Sequence, residues 1–176
     1  MYPFFRMAKE LIIHRNAPPL SVGEAHISQH ICWPWDLDFW MELNNGRTLT
    51  LYDLGRIPLA RRMGLIAALK ENGWGLTVAG VSIRYRRRVR AFDRYELRSR
   101  VIGWDHRFFY LEQSMWKDGE ALNNALYRTA VTSKNGIVDP ALVTAGMGYE
   151  GESPALPVWT LEWIKAESHR PWPPEM

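Results

Sequence analysis

A short stretch early in the chain combines acidic and amide side chains with large apolar ones. Asp36, Asp38 and Glu42 supply three carboxylates, and Asn44 and Asn45 follow them directly. The residues around them are mostly large and apolar: Trp35, Phe39, Trp40 and Met41. A carboxylate in apolar surroundings beside the free N–H groups of a helix start can act as base or nucleophile, while those N–H groups stabilise a developing oxyanion. A purely structural alternative is that an Asn caps the helix and the acids favour its positive end.

A second cluster is the basic segment Arg84–Arg90, with the sequence RYRRRVR, in a chain whose net charge is only +3. In an extended strand, Arg84, Arg86, Arg88 and Arg90 would project to one face. Guanidinium groups match the geometry of phosphate. Two interpretations stay open: a solvated strand face, or an anchor for the phosphates of an anionic ligand. No nucleic-acid-binding motif accompanies the arginines, so we expect no nucleic-acid partner.

The histidines and the cysteine give weaker signals. His26 and His30 are four residues apart in a predicted strand, which places both on one side with no third ligand, so structural roles are expected and no metal site. Cys32 is the only cysteine. It excludes an internal disulfide and fits a reducing compartment, so a cytoplasmic location is expected. No stretch approaches the ~20 apolar residues of a membrane span. Charged residues interrupt the apolar N-terminus, so we expect no secretion signal.

Helical periodicity and strand alternation predict one α+β domain. Residues 3–14 form a short helix whose apolar stripe (Phe4, Met7, Ala8, Leu11 and Ile12) is expected to dock on the body of the protein. A strand, Ala25–Cys32, precedes the central helix, which runs from about Asn45 to Lys70. Pro58 predicts a kink or restart in that helix, and Asn72-Gly73 predicts its end. Weak helical signals follow at Pro140–Met147 and Trp159–Ala166.

Four β-rich segments follow the central helix: Leu76–Arg90, Tyr95–Trp104, Arg107–Trp116 and Glu120–Ser133. Asp118-Gly119 is a strong hairpin signal. The connections are too short for parallel crossovers, so the strands must pair antiparallel. We therefore expect a five- or six-stranded antiparallel sheet enclosing the helix.

The segment Asp36–Asn45 resembles the active-site loop of the hotdog-fold thioesterases, the group that includes 4-hydroxybenzoyl-CoA thioesterase. The pattern Asp-x-Asp-x-x-x-His-x-Asn-Asn matches at Asp36, Asp38, Asn44 and Asn45, with Glu42 in place of His. The resemblance covers roughly residues 25–135. It implies a hotdog core over 25–135, preceded by a helix and linker (1–24) and followed by a C-terminal extension (136–176) packed on the core.

The same resemblance implies a function. The substrate would be an acyl thioester of coenzyme A or of an acyl-carrier protein, with no cofactor beyond the coenzyme A of the substrate. Asp38 would be the catalytic carboxylate, and the helix start at Asn45–Gly46 would bind the oxyanion. Active sites would lie at the interface of a homodimer, or of a dimer of dimers.

The remaining candidate residues take supporting roles. Glu42, at the family's His position, could act as the base or face solvent. Asp36 would orient the loop through backbone N–H bonds. The predicted substrate-binding residues are Asp36, Trp40, Asn44, Gly46, Arg84, Arg86 and Arg88. The alternative to an enzyme is a catalytically silent hotdog scaffold that binds acyl chains or a protein partner. A hydratase would need a His paired with an acid near the helix start, and the loop has none.

Overall fold

The structure is a computed structural model that describes residues 2–175. Its helices are α1 (Phe4–Ile13), α2 (Asn45–Arg62), α3 (Leu65–Asn72), α4 (Pro140–Gly146) and α5 (Val158–Ser168), and a 3-10 turn spans Pro34–Asp36. Its strands are β1 (His26–Ile31), β2 (Gly75–Tyr85), β3 (Arg94–Trp104), β4 (Phe109–Lys117), β5 (Glu120–Ser133) and β6 (Gly136–Ile137).

The strands form one antiparallel sheet in the order β1-β3-β4-β5-β2, with β6 paired to β5. The hairpin predicted at Asp118-Gly119 joins β4 to β5, and both residues have positive φ, as the tight turn requires. α2 lies against the sheet, and Gly55 permits a close approach: a Cβ there would lie 2.7 Å from Leu97 Cδ2 of β3. The predicted antiparallel sheet enclosing a helix is confirmed.

The central helix breaks later than predicted. α2 continues through Pro58, which is buried inside it, and ends at Arg62. The break is at Gly64, whose φ of +81° leaves the helical region at little cost because glycine lacks a Cβ. α3 then runs to Asn72, and Gly73 ends it in the left-handed conformation, as the Asn72-Gly73 signal predicted.

The first long strand after the helices is shorter than predicted. β2 ends at Tyr85, so most of the basic segment lies outside the sheet. The N–H groups of Arg86 and Arg87 both donate to the carbonyl of Leu122, at 2.9 and 3.0 Å. Because the two N–H groups share one acceptor, the chain leaves the strand pairing with β5 after Tyr85. Val89, further along, is buried. The alternating arginine face predicted for this segment is therefore wrong beyond Tyr85.

α1 docks with part of the predicted stripe, because Met7 and Leu11 pack on the core as expected. Met7 and Glu10 are buried, whereas Phe4 and Ile12 of the predicted stripe are exposed. The Glu10 carboxylate lies 3.9 Å from His30 Nδ1 of β1, and Arg6 pairs with Asp36 at 2.7 Å. Polar contacts therefore fix part of α1 to the body.

Among residues 2–175, no helix combines the length and the apolar character that crossing a bilayer demands.

The C-terminal extension packs on the sheet. The helices predicted at Pro140–Met147 and Trp159–Ala166 correspond to α4 and α5. Trp163 and Ile164 of α5 pack on Tyr110 and Leu126 of the sheet. This small cluster is separate from the main core, which lies between α2 and the sheet.

Candidate active site

The acidic loop forms a miniature hairpin between the 3-10 turn and α2. Leu37 and Leu43 pair as an isolated bridge, and the Asp38 N–H donates to the Glu42 carbonyl at 2.9 Å. The Asp38 Oδ1 accepts the Trp40 N–H at 2.9 Å, the local bond by which Asp commonly closes a turn. Met41 completes the turn with a φ of +61°. The loop therefore holds Asp38 and Glu42 side by side at its base.

α2 begins directly after this hairpin. The Asn44 side chain is the N-cap and accepts the Arg47 N–H at 3.0 Å, which confirms the capping alternative for that residue. Of the residues described, none accepts a hydrogen bond from the N–H groups of Asn45 and Gly46. These N–H groups, at the positive end of the helix, are free to bind an anion or a polarised carbonyl.

The basic segment reaches the helix start from the end of β2. The Tyr85 hydroxyl donates to the Asn45 carbonyl at 3.1 Å, and the Leu43 N–H donates to the Val89 carbonyl at 2.8 Å. Arg88 Nε lies 3.3 Å from the Glu42 carboxylate. These contacts fix residues 86–89 beside the acidic loop. Because the chain leaves β2 after Tyr85, Arg86, Arg87 and Arg88 lie beside the acidic loop.

A cavity of about 350 Å³ lies where the loop, the helix start and the basic segment meet. It is lined by Asp38, Trp40, Glu42, Leu43, Asn45, Thr48, Tyr85, Arg86, Arg87, Arg88, Val89 and Asn123. Carboxylates, guanidinium groups and the helix start thus border one space. This arrangement can bind an ester-like carbonyl and a phosphate-bearing group together.

Six predicted site residues line this cavity: Asp38, Trp40, Glu42, Asn45, Arg86 and Arg88. The other four do not. Asn44 is occupied as the N-cap, and Gly46 contributes to the helix start without lining the cavity. Arg84 lies within β2, before the chain turns towards the loop, and does not line the cavity, so its contact with substrate stays a prediction.

Asp36, the fourth of these residues, lies away from the cavity and has internal partners. It is 1% exposed, and its carboxylate accepts from Arg6 and from Arg47, both at 2.7 Å. The Trp33 N–H adds a third bond at 3.0 Å, in keeping with the predicted loop-orienting role. With both oxygens bound to internal partners, Asp36 fixes the loop to α1 and α2.

The loop's aromatic residues do not enclose Asp38 within one chain. Phe39 is 81% exposed and Trp40 71%, and their rings contact each other at 4.6 Å. Trp35 and Met41 are exposed as well. Sequence proximity suggested an apolar enclosure, but the tight turn at residues 38–41 directs these side chains outward.

Three polar residues that line the cavity were not predicted: Thr48, Tyr85 and Asn123. Asn123 is 3% exposed, and the Tyr52 hydroxyl donates to its Oδ1 at 2.5 Å. Burial raises the pKa of Tyr85 above its usual value. Asn123 carries a usable signal, an amide on a strand that is otherwise largely apolar, whereas Thr48 and Tyr85 show no pattern that separates them from their neighbours.

The remaining candidate residues have internal partners. His30 Nε2 lies 2.8 Å from the Ser28 hydroxyl, and His26 Nδ1 lies 3.1 Å from Arg62. Burial lowers the pKa of His26 to about 4. Cys32 is buried, which raises the pKa of its thiol to about 12. Asp53, an acid on α2, pairs with Arg56.

Comparison with known proteins assigns the chain to a family. Residues 32–164 match the thioesterase-like superfamily, which is most of the chain. This protein belongs to the thioesterase-like superfamily. It is 34% identical over 166 residues to Protein THEM6 of Xenopus laevis, covering 92% of this chain and 78% of that protein. The match to Protein THEM6 of Danio rerio is 38% identical but covers 44% of this chain and 39% of that protein.

Solved structures of thioesterases share the fold of this superfamily member. YbaW, a probable thioesterase from Escherichia coli, superposes with a TM-score of 0.64 at 17% identity, covering 69% of this chain and 95% of that chain. The DHNA-CoA thioesterase of Staphylococcus aureus gives a TM-score of 0.60 at 11% identity, covering 82% and 91%. At such low identities the likeness concerns the fold alone, and it confirms the predicted hotdog architecture.

Proposed function

We propose that this protein hydrolyses an acyl thioester of coenzyme A or of an acyl-carrier protein. One observation carries the proposal: in a member of the thioesterase-like superfamily, Asp38, Glu42 and the start of α2 border the same cavity as Arg86–Arg88. The reaction needs a base or nucleophile, an oxyanion site and an anchor for the phosphates, and each has a candidate there. No cofactor is required.

In the proposed reaction, the thioester carbonyl accepts hydrogen bonds from the N–H groups of Asn45 and Gly46. Asp38 removes a proton from a water molecule, which adds to the carbonyl carbon as the oxyanion forms. The C–S bond then breaks, and the proton passes to the departing thiolate, which leaves a carboxylic acid and a free thiol. Direct attack by Asp38 on the carbonyl is the other route open to the same geometry.

Glu42 is the second carboxylate of the cavity and takes the position of the family's His. Its carboxylate lies 3.3 Å from Arg88 Nε, and both residues line the cavity. We assign it to orienting the attacking water, with the base role as the alternative that substitution would reveal.

We assign the phosphates of the substrate to the basic segment, with Arg86 as its main contact. Arg87 is paired with Glu120 at 2.6 Å and Arg88 with Glu42. The side chain of Arg86 lines the cavity and forms no ion pair with any residue from 2 to 175. A guanidinium without an internal partner keeps its donors available for phosphate.

A homodimer formed through β2 would complete the site. β2 is an edge strand, and Leu76, Val78 and Val81 on it are exposed. Edge strands with apolar side chains commonly pair with another chain. Phe39 and Trp40 also face outward and are exposed within one chain, and contact with a partner subunit would bury them. We further propose a cytoplasmic location, where acyl thioesters of coenzyme A and carrier proteins are available.

The experiment that tests the function is a substrate panel. Purified protein is assayed for thiol release with acyl-CoA esters from acetyl to long-chain and aromatic, and with acyl-carrier-protein esters. We expect hydrolysis of at least one class at a rate well above that of the protein-free solution. Absence of hydrolysis across the whole panel would contradict the proposal.

A catalytically silent scaffold is the second candidate, favoured by one observation. The Asp38 carboxylate already closes the loop turn through the Trp40 N–H, and that role alone could explain an Asp at this position. Such a scaffold would bind the same acyl thioesters, or a protein partner, without releasing thiol. Binding measured by calorimetry with no turnover would support it.

A further inference from the structure

The outer face of α1 is apolar, and nothing in the described chain covers it. Phe5 is 95% exposed, Phe4 69% and Ile12 63%, whereas Glu10 is 2% exposed. The helix therefore turns a polar side chain inward and its aromatic side chains outward. Met7 also faces the core, so α1 carries apolar side chains on both its inner and its outer side, whereas a helix on a globular protein usually turns its apolar stripe to the core. An exposed apolar surface of this kind marks an interaction site.

Further aromatic side chains extend this surface beyond α1. Phe4 and Phe5 border a depression together with Trp35. Trp33 stacks on Trp35 with ring centroids 5.3 Å apart, and Phe92 meets the Trp33 ring edge-on at 6.3 Å. Phe92 is 63% exposed and has a positive φ, which turns it out of the loop before β3. We call Phe4, Phe5, Trp33, Trp35 and Phe92 the aromatic face.

The charges around the aromatic face are predominantly positive. The two depressions that Phe5 borders are lined by four cationic side chains, Arg6, Lys9, Arg47 and Arg94, of which Arg6 and Arg47 share the buried carboxylate of Asp36. Glu10 is the one acid lining them, and it is buried beside Lys9. Arg94 is exposed and forms no ion pair within residues 2–175. Trp and Phe bordered by Arg and Lys suit the interfacial region of an anionic lipid bilayer.

The position of α1 beside β1 argues against the proposed β2 dimer as the cover of the aromatic face. α1 contacts β1 through Glu10, which lies 3.9 Å from His30 Nδ1. β1 and β2 are the two opposite edges of the sheet. A dimer built through β2 therefore leaves the aromatic face of both subunits uncovered.

We propose that the aromatic face docks this protein on the surface of an anionic membrane. The aromatic side chains enter the interfacial region, and Lys9 and Arg94 meet the lipid phosphates. Docking is peripheral: α1 lies along the surface while its polar side stays fixed to the body through Glu10 and through Arg6, which pairs with Asp36. This inference stands independently of the catalytic proposal, because none of the residues of the aromatic face lines the cavity at Asp38.

Vesicle flotation tests the proposal on the full chain. Wild-type protein is mixed with vesicles of phosphatidylcholine alone and with vesicles that also contain phosphatidylglycerol. The test variant is Phe4→Ser with Phe5→Ser. Its matched control, Val158→Ser with Leu161→Ser, removes two exposed apolar side chains from α5, away from the aromatic face. Thermal unfolding verifies that both double variants fold. We expect them to fold because all four substituted side chains are exposed.

We expect the wild type and the control to float with the vesicles containing phosphatidylglycerol, and the test variant to bind them about tenfold or more weakly. Arg94→Glu should weaken binding mainly at low salt. The proposal is overturned if the wild type fails to float with either vesicle, or if the test variant floats as well as the control. A test variant that loses an oligomeric state in vesicle-free light scattering would also overturn it, because a second copy would then be the occupant.

Discussion

The buried carboxylate of Asp36 gives the sharpest stability prediction. Asp36→Asn keeps the size of the side chain but removes the charge that faces Arg6 and Arg47. Breaking a buried ion pair from one side costs about 3–5 kcal/mol, because the remaining charge loses its partner. Both guanidinium groups retain some exposure, 17% and 16%, and water can reach them. We therefore expect the lower end, a loss of about 3 kcal/mol.

For a chain of this length, a loss of about 3 kcal/mol lowers Tm by roughly 6–12 °C. Urea and thermal unfolding of Asp36→Asn measure the change, and Asp38→Asn is the matched control with the same substitution in the same loop. Hydrogen exchange should also accelerate in α1, which Arg6 ties to Asp36. The reasoning is refuted if Asp36→Asn unfolds at the wild-type temperature, and more so if it then loses turnover, because Asp36 would belong to the chemistry.

Three further predictions concern substrate, pH and assembly. Arg86→Glu should raise KM for coenzyme A substrates several-fold in a salt-dependent manner with kcat nearly unchanged; an unchanged KM would return this arginine to a solvated surface role. The folded protein holds His26 neutral while the unfolded chain binds a proton below about pH 6.5, so His26 alone should lower the free energy of unfolding by about 2 kcal/mol between pH 7 and pH 5. Urea unfolding of His26→Asn, which should lack this part of the pH dependence, tests that assignment. Val81→Lys on the exposed edge of β2 should shift a dimer to monomer in light scattering, and a variant as dimeric as the wild type would exclude β2 as the interface.

The sequence predicted well those features that depend on local signals. The hairpin at Asp118-Gly119 and the helix end at Gly73 follow from residues that tolerate positive φ, and both are present. The acidic loop was found because its pattern is contiguous. Its link to the start of α2 needs only chain connectivity.

Features set by packing between distant segments were predicted less well. Periodicity identified the apolar stripe of α1, of which Met7 and Leu11 pack on the core. It could not show that Glu10 and Arg6 also face the body, where His30 and Asp36 are their buried partners. The burial of Asp36 likewise depends on Arg6, thirty positions away. Asn123 reaches the cavity only because the strand order places β5 beside β2.

For the basic segment, the sequence predicted the location of the arginines correctly but not the backbone path that places them there. Its arginines were expected near the site, and Arg86 and Arg88 are there. The expected reason, one face of a continuous strand, was wrong. The chain leaves the sheet after Tyr85 because the backbone N–H groups of Arg86 and Arg87 share the Leu122 carbonyl, and no local sequence signal announces such a shared acceptor.

The measurement that tests the catalytic account most directly is kcat for Asp38→Asn beside Glu42→Gln, on the best substrate of the panel. Asn at position 38 can still accept the Trp40 N–H and close the turn, so the change removes the carboxylate while keeping the loop. The account predicts that Asp38→Asn lowers kcat by roughly 10²–10⁴-fold with KM largely kept, and that Glu42→Gln has a smaller effect. Full turnover in Asp38→Asn together with an inactive Glu42→Gln would contradict it, and would transfer the base to the residue at the family's His position.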